Sequence, residues 1–286
     1  MAMGAAGACE GLLEALELHS RNTEAVFLCV KALFHLCDGN KDNMMKILVS
    51  GASDILLTIY SKFSDQERIL DYLFSILVGM SHVPSRLGQN KLGNAVVAKA
   101  IISTLYRFEK SSEYLTLLSC ALMHSLAIDS SDVQKKMAAA GACKAVVSAL
   151  TRYARSNTFD NANKIISSSS KNGNITRIRD KDKGRMSPGG DVLGGSEAKK
   201  GDDDNDDDRS SAAPVVGLSL LSILGECSVL KESSKVIHAM SVGSDENISK
   251  FQASAALDIL SDAVSNPGSI SDETLFWVKR AIDVLI

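Results

Sequence analysis

The chain has 286 residues, 45% hydrophobic and 23% charged, with a net charge of −3. That balance excludes a strongly basic nucleic-acid binder by bulk charge, and no apolar run reaches the roughly 18 residues of a membrane span. The sequence opens without a basic segment leading into an apolar one, so no secretory leader is read. Aromatic residues make up 5%, with a single tryptophan, Trp277, and there are four prolines. A chain poor in both and rich in Ala, Leu, Ser and Ile reads as helical, against a β-sandwich or barrel.

The sequence repeats itself. Residues 3–9 read Met-Gly-Ala-Ala-Gly-Ala-Cys and residues 137–143 read Met-Ala-Ala-Ala-Gly-Ala-Cys, each followed by a charge and an apolar helical stretch. A third copy begins at Gly51-Ala52-Ser53-Asp54, and a degenerate fourth at Val96-Val97-Ala98-Lys99. The anchors at 7, 51, 96 and 141 share one downstream pattern at a period of about 45 residues.

Helical periodicity then sets the elements in chain order. A first helix over 11–18 carries Leu12, Leu13 and Leu16 on one side, and a longer one over 23–37 has Thr23 as N-cap and Glu24 in its first turn. Asp38-Gly39-Asn40 ends it, and a short helix over 42–50 leads to the next anchor. The second period repeats this with 54–63, 65–80 and a break at Pro84. The third uses 96–108, 112–127 and 131–140, the last capped by Ser131-Asp132. Beyond the fourth anchor the pattern stops at Arg155. It resumes with a long helix around 217–225, a short one over 231–240, a long one over 245–265 and a last one over 271–286 opened by Ser271.

This three-helix pattern resembles the armadillo repeat, whose usual glycine between first and second helices is matched by the Gly-Ala of the anchors. The resemblance covers residues 3–155 best. It implies an all-α, armadillo-type α-α superhelix, a right-handed solenoid of about five three-helix repeats with a disordered insert. Residues 1–155 hold repeats 1–3 and the start of repeat 4, 156–213 form the insert, and 214–286 hold the remaining degenerate repeats.

The insert carries Ser167–Ser170, two Gly-Gly pairs and an acidic run from Asp202 to Asp208. Its basic residues cluster over 171–185 and its acids over 202–208, with few large apolar residues to offset the entropy of ordering. It reads as a disordered loop between the second and third helices of the fourth repeat. Arg185-Met186-Ser187-Pro188 suits a proline-directed kinase, making Ser187 a candidate phosphosite.

No enzyme motif is present. Gly189–Ser196 lacks the lysine and spacing of a phosphate loop. Asp202, Asp204 and Asp206 have calcium-loop spacing, but the required glycine is Asp207 and the required glutamate is Ala213. The six cysteines form no C-x-x-C pair and read as small buried hydrophobes of a reducing compartment. No catalytic residue, metal or cofactor is expected.

The resemblance further implies that the third helices line a concave groove, where relatives clamp an extended peptide with an asparagine ladder and a tryptophan one turn earlier. Aligned to that pattern, His35 takes the Asn place and Lys31 the Trp place. Ser75 and Asp71 follow in the second repeat, His124 or Ser125 takes the Asn place in the third, and Ser222 and Leu218 follow in the fourth. The ladder is absent, and Lys31, His35, Asp71, Ser75 and His124 become the candidate partner-binding residues, reading side-chain charge in its stead.

The expected function is therefore a protein–protein interaction scaffold or adaptor that binds a protein or peptide on its concave surface, without nucleic acid or membrane, in the cytoplasm or shuttling to the nucleus. One alternative is a regulatory or transport adaptor whose specificity lies in the insert. The other is an enzyme with a site assembled from distant residues. The chain begins close to its first anchor and ends on an apolar helix. It thus reads as a fragment of a longer solenoid or as one whose open ends are covered by a partner or by self-association.

Overall fold

The computed structural model describes residues 7–83, 86–153, 228–265, 267 and 270–286. All regular structure among them is helical. The insert from 156 to 213, with Ser187 and the aspartate run, and the helix expected around 217–225 lie outside the described residues.

The helices are α1 (Ala8–Leu18), α2 (Thr23–Cys37), α3 (Lys41–Val49), α4 (Ala52–Lys62), α5 (Glu67–Ser81), α6 (Leu87–Leu92) and α7 (Ala95–Phe108). There follow α8 (Glu113–Ala127), α9 (Ser131–Ala140), α10 (142–153), α11 (Val229–Ser241), α12 (Asp245–Ala253), α13 (Ala256–Ser265) and α14 (Asp272–Leu285). They group as five repeats of short, second and third helix, the first represented among the described residues by its second and third helices. The third helices α2, α5, α8, α11 and α14 pack one on the next. The second helices α1, α4 and α7 stack likewise in a parallel layer. One apolar cluster runs through the stack, from Leu16 and Leu33 through Phe74 and Leu122 to Val278 and Leu285. A single repeat has two apolar flanks and covers neither, so stability comes from the stacking.

The third-helix ends are set by side chains. Asn22, Ser112, Ser228 and Ser271 each accept a backbone N–H of the first turn, satisfying a donor that has no partner inside the helix. Asn22 therefore fills the cap role expected of Thr23. At α9 the cap residue is Ser130, with no side-chain bond, one residue before the expected Ser131. Helix α8 is buried on nearly every side from Leu115 to Ala127, because α5 and α11 cover both its flanks.

The anchors have a backbone reason. Gly7, Gly51 and Gly141 precede their helices in the left-handed conformation, at φ 81°, 82° and 97°, which glycine adopts without strain. The third repeat departs from this. Asn94 caps α7 from extended backbone, accepting the N–H groups of Val96 and Val97, so the expected anchor at Val96 lies inside the helix.

Two expectations for the C-terminal part are corrected. The segment read as a short helix over 231–240 is α11, which takes the third-helix place of the fourth repeat by packing between α8 and α14. Its polar run Lys231-Glu232-Ser233-Ser234 hid this, since all four side chains are buried. The segment read as one long helix over 245–265 is two, α12 and α13, separated at Ser254-Ala255, where Ala255 has φ 59°. Ala255 is thus the fifth repeat's counterpart of the anchor glycines.

A second device recurs in the short helices. Asn43 donates its side-chain amide to the Leu36 carbonyl at 2.7 Å, Gln134 to Ala127 at 3.0 Å, and Asn247 to Met240 at 2.8 Å. In each case a buried amide reaches seven residues back and satisfies a carbonyl at the end of the preceding third helix. Gln134 also donates to Ala239 of the next repeat at 2.9 Å.

Candidate functional site

The candidate site is the open face of the third-helix layer, where half-buried polar and aromatic side chains touch from one repeat to the next. At the first joint, between α2 and α5, Tyr72 packs its ring against Phe27, Phe34 and His35, with centroids 5.9, 5.6 and 6.1 Å away. Two cations sit over the Phe27 ring, Arg68 at 4.4 Å and Lys31 at 5.8 Å, a placement that the ring quadrupole favours. His35 is exposed and Lys31 half-buried.

At the second joint, between α5 and α8, the Ser75 hydroxyl donates to the Asp71 carbonyl one turn back at 2.6 Å and lies 3.2 Å from the Tyr114 hydroxyl. Ser75 is only 2% exposed, so it braces the joint and presents little to a partner. Asp71 is half-buried, and its Oδ1 is buried with no hydrogen-bond partner. Burial, then the neighbouring Glu67, pushes its carboxyl up to about 7. Burial also raises the Tyr114 phenol to about 12, with Ser75 opposing through its hydrogen bond and Asp71, Tyr72 and Asp38 adding to the rise.

At the far end, α8, α11 and α14 meet around Trp277. His124 and His238 lie edge-on to it at 6.2 and 5.9 Å, Lys235 sits 5.6 Å over it, and Phe276 packs edge-on at 5.4 Å. Burial first, then the charges of Lys235, His82 and His238, lowers His124 to about 4, so it stands neutral. The cations here are largely matched. Lys235 pairs with the buried Glu232 at 2.8 Å, and the fully buried Lys231 pairs with Glu273 of α14 at 3.0 Å.

The five residues singled out in the sequence thus divide between two places. Lys31, His35, Asp71 and Ser75 gather around the first two joints, while His124 belongs to the Trp277 end. Their alignment needs a correction of one helical turn. The caps Asn22 and Gln66 match α2 to α5 residue for residue, which pairs Lys31 with Ser75 and Phe27 with Asp71. In the same frame His124 matches Phe34, and Ser125 matches His35. Ser125 is buried and bonds Ser81 across the α5–α8 joint at 2.7 Å. Ser222 and Leu218 lie outside the described residues. Sequence reasoning missed Tyr72, Tyr114, Lys235, His238 and Trp277; Tyr72 lay one turn from the chosen Ser75, while the others are brought to the face by the stacking of neighbouring third helices.

Nothing in this face resembles a metal or redox centre. Among the described residues no group of three or more His, Cys, Asp or Glu is placed to hold a metal ion. Cys9, Cys29, Cys37, Cys120 and Cys143 are free thiols, and burial raises each above the usual thiol range. No single helix among the described residues is long and apolar enough to cross a membrane.

No protein-family model matches the sequence, and no curated protein does. Solved structures are similar over nearly the whole chain. An engineered protein superposes with a TM-score of 0.50 at 12% identity, covering 97% of this chain and 98% of its own. A designed armadillo repeat protein superposes at 0.46 with 16% identity, covering 96% and 99%. Another, solved in complex with a (KR)4 peptide, superposes at 0.47 with 15% identity, covering 96% and 98%. With its short, second and third helices stacked into two continuous layers, the chain is an all-α solenoid of armadillo type.

Proposed function

We propose that the protein is a non-catalytic interaction scaffold that binds an extended segment of a protein partner along the third-helix face. The observation that carries this is the unbroken succession of Lys31, His35, Asp71, Tyr114, His124, Lys235, His238 and Trp277 across five stacked helices. Successive third helices repeat at a spacing that an extended chain can follow, and the face offers aromatic edges, cations and a carboxylate in place of one enclosed pocket. Fold alone fixes no partner. The reading rests on these side chains, and it takes the protein as a cytoplasmic or nucleocytoplasmic adaptor without cofactor.

The test is site-specific photo-crosslinking in the native cell. A photoreactive residue replaces His35 or Arg280 on the third-helix face, or Tyr106 on α7 as the outer-face control. Adducts with one partner from the first two positions and none from the third are expected. Adducts from Tyr106 alone, or binding that disappears on deletion of 156–213 and is indifferent to the third-helix positions, would overturn the reading.

A further inference from the structure

We propose that a groove on the outer face of the solenoid, along α7 and beside the turn between α9 and α10, is the docking site for the acidic run Asp202–Asp208 of the chain's own insert. The inference goes beyond the proposed function, since it concerns the second-helix layer and a contact within one chain.

The groove encloses about 570 Å³ and is lined by Lys99, Ile102, Ser103, Tyr106, Arg107 and Ala140. Lys99, Ser103 and Tyr106 recur at helical spacing on one exposed stripe of α7. Lys99 and Arg107 stand at its two ends, roughly 12 Å apart along the helix axis, with Ser103 and the 48% exposed Tyr106 between them. Among the described residues Lys99, Arg107 and the neighbouring Lys110 and Lys144 have no ion-pair partner, whereas Lys136 of α9 is matched by Asp132 at 2.6 Å. The acid nearest to them in sequence, Glu109, has its Oε2 buried. Unmatched cations flanking a hydroxyl and an exposed ring fit an extended acidic segment.

Connectivity selects the occupant. Tyr153, the last described residue before the insert, reaches the Glu109 carbonyl with its hydroxyl at 3.4 Å, and Arg152 donates to the Lys110 carbonyl at 3.2 Å. The chain therefore leaves α10 at the Arg107 end of the groove. It returns at the same end. Cys120 meets Ser233 at 3.7 Å, and Gln134 bridges Ala127 to Ala239, so α8 and α11 run parallel and Ser228 lies beside the start of α8. That start follows α7 directly through the turn at Lys110–Ser112. The acidic run holds six aspartates in seven residues and ends 20 residues before Ser228. Such a tether spans up to roughly 70 Å, against about 21 Å for the whole of α7, so the run can lie along the full groove. Tethering keeps its local concentration high, and several exposed charge pairs, each weak alone, then suffice to hold it.

The experiment treats the full chain at low ionic strength with a water-soluble carbodiimide, which joins a lysine amine to a carboxylate in contact with it, and maps the products by mass spectrometry. Mixing 14N- and 15N-labelled protein separates links within one chain from links between chains. Links from Lys99 to the aspartates of 202–208 within one chain are expected at about fivefold or more the yield at Lys41, an exposed lysine of α3. Arg107→Glu leaves Lys99 in place and should cut that yield about fivefold, as should roughly 0.5 M salt. Circular dichroism confirms that R107E is folded. A second arm leaves the groove unaltered: replacing the six aspartates by asparagine should shift the amide resonances of Ser103 and Tyr106. Links at Lys99 no more frequent than at Lys41, or a yield indifferent to R107E and to salt, overturn the groove. Links found only between differently labelled chains overturn docking within the chain, and unshifted Ser103 and Tyr106 resonances overturn the contact altogether. None of these outcomes bears on the third-helix reading, and a contact within one chain adds no partner adduct at Tyr106.

Discussion

Ala255 holds the left-handed backbone at φ 59° that Gly51 holds at φ 82°, each at the residue before its repeat's second helix. An alanine there carries a clash between its Cβ and the following carbonyl of roughly 1–2 kcal/mol. Ala255→Gly should therefore stabilise the protein by about 0.5–1 kcal/mol after the larger unfolded-state entropy of glycine is counted. A Cβ at Gly51 would meet nothing within 4 Å, so Gly51→Ala isolates the same backbone cost and should lower stability by about 1 kcal/mol. Urea unfolding followed by circular dichroism measures both, and equal signs would refute the shared role.

The amide of Asn247 donates to the Met240 carbonyl at 2.8 Å, and both residues lie inside the protein. Asn247→Ala leaves that carbonyl unpaired and should cost about 1–3 kcal/mol. Gln134→Ala should cost more, because it removes two hydrogen bonds in two repeats at once, to the Ala239 carbonyl and to the Ala127 carbonyl, which keeps the Ser130 N–H at 3.3 Å. Thermal melts of the two variants give the order directly.

Lys231 is 1% exposed, and Glu273, 54% exposed, supplies its countercharge. Glu273→Gln removes the partner and leaves a buried ammonium, at a cost of about 3 kcal/mol. Lys231→Met removes the charge and keeps the stem, and should be close to neutral. If the two variants melt together, the bridge does not define the α11–α14 contact.

Asp71 and His124 pull stability in opposite directions with pH. The Asp71 carboxyl is raised from 3.8 to about 7, so its contribution is present below about 4 and is lost as pH rises through about 7. His124 is lowered from 6.5 to about 4, so its contribution is present above 6.5 and is lost as pH falls toward 4. Between about 4 and 6.5 the two slopes, each up to about 1.4 kcal/mol per pH unit, oppose one another. Asp71→Asn should make stability rise with pH across that window, and His124→Gln should make it fall. Denaturation at half-unit pH intervals tests both signs.

The early repeats were legible because their anchors demand glycine, and glycine at a fixed period is conspicuous in sequence. The fifth repeat was not, because Ala255 adopts the same backbone without announcing it. Helix α11 was misassigned for a different reason. Its buried face is charged, and the pairings of Lys231 with Glu273 and Glu232 with Lys235 that make this tolerable join residues that periodicity treats as solvated. The slip that aligned Lys31 with Asp71 preserved the apolar stripe, since residues four apart share a helix face. The cap pair Asn22 and Gln66 fixed the register that hydrophobic pattern left free. Lys31, His35, Asp71 and Ser75 lie around the first two joints even so, but the aromatic frame around them depends on which helices neighbour one another.

The amide reach from short helix to preceding third helix also says where this solenoid divides. Repeats are conventionally counted from the short helix onward, as though each began there. Asn43, Gln134 and Asn247 fasten α3, α9 and α12 to the end of the unit before each. A graft that cuts between Cys37 and Lys41, or between Ser241 and Asp245, severs that fastening. A cut at the left-handed residue, Gly51, Gly141 or Ala255, leaves it whole. Where a left-handed residue opens the second helix, the interchangeable module therefore begins at that residue and ends on a short helix rather than starting with one.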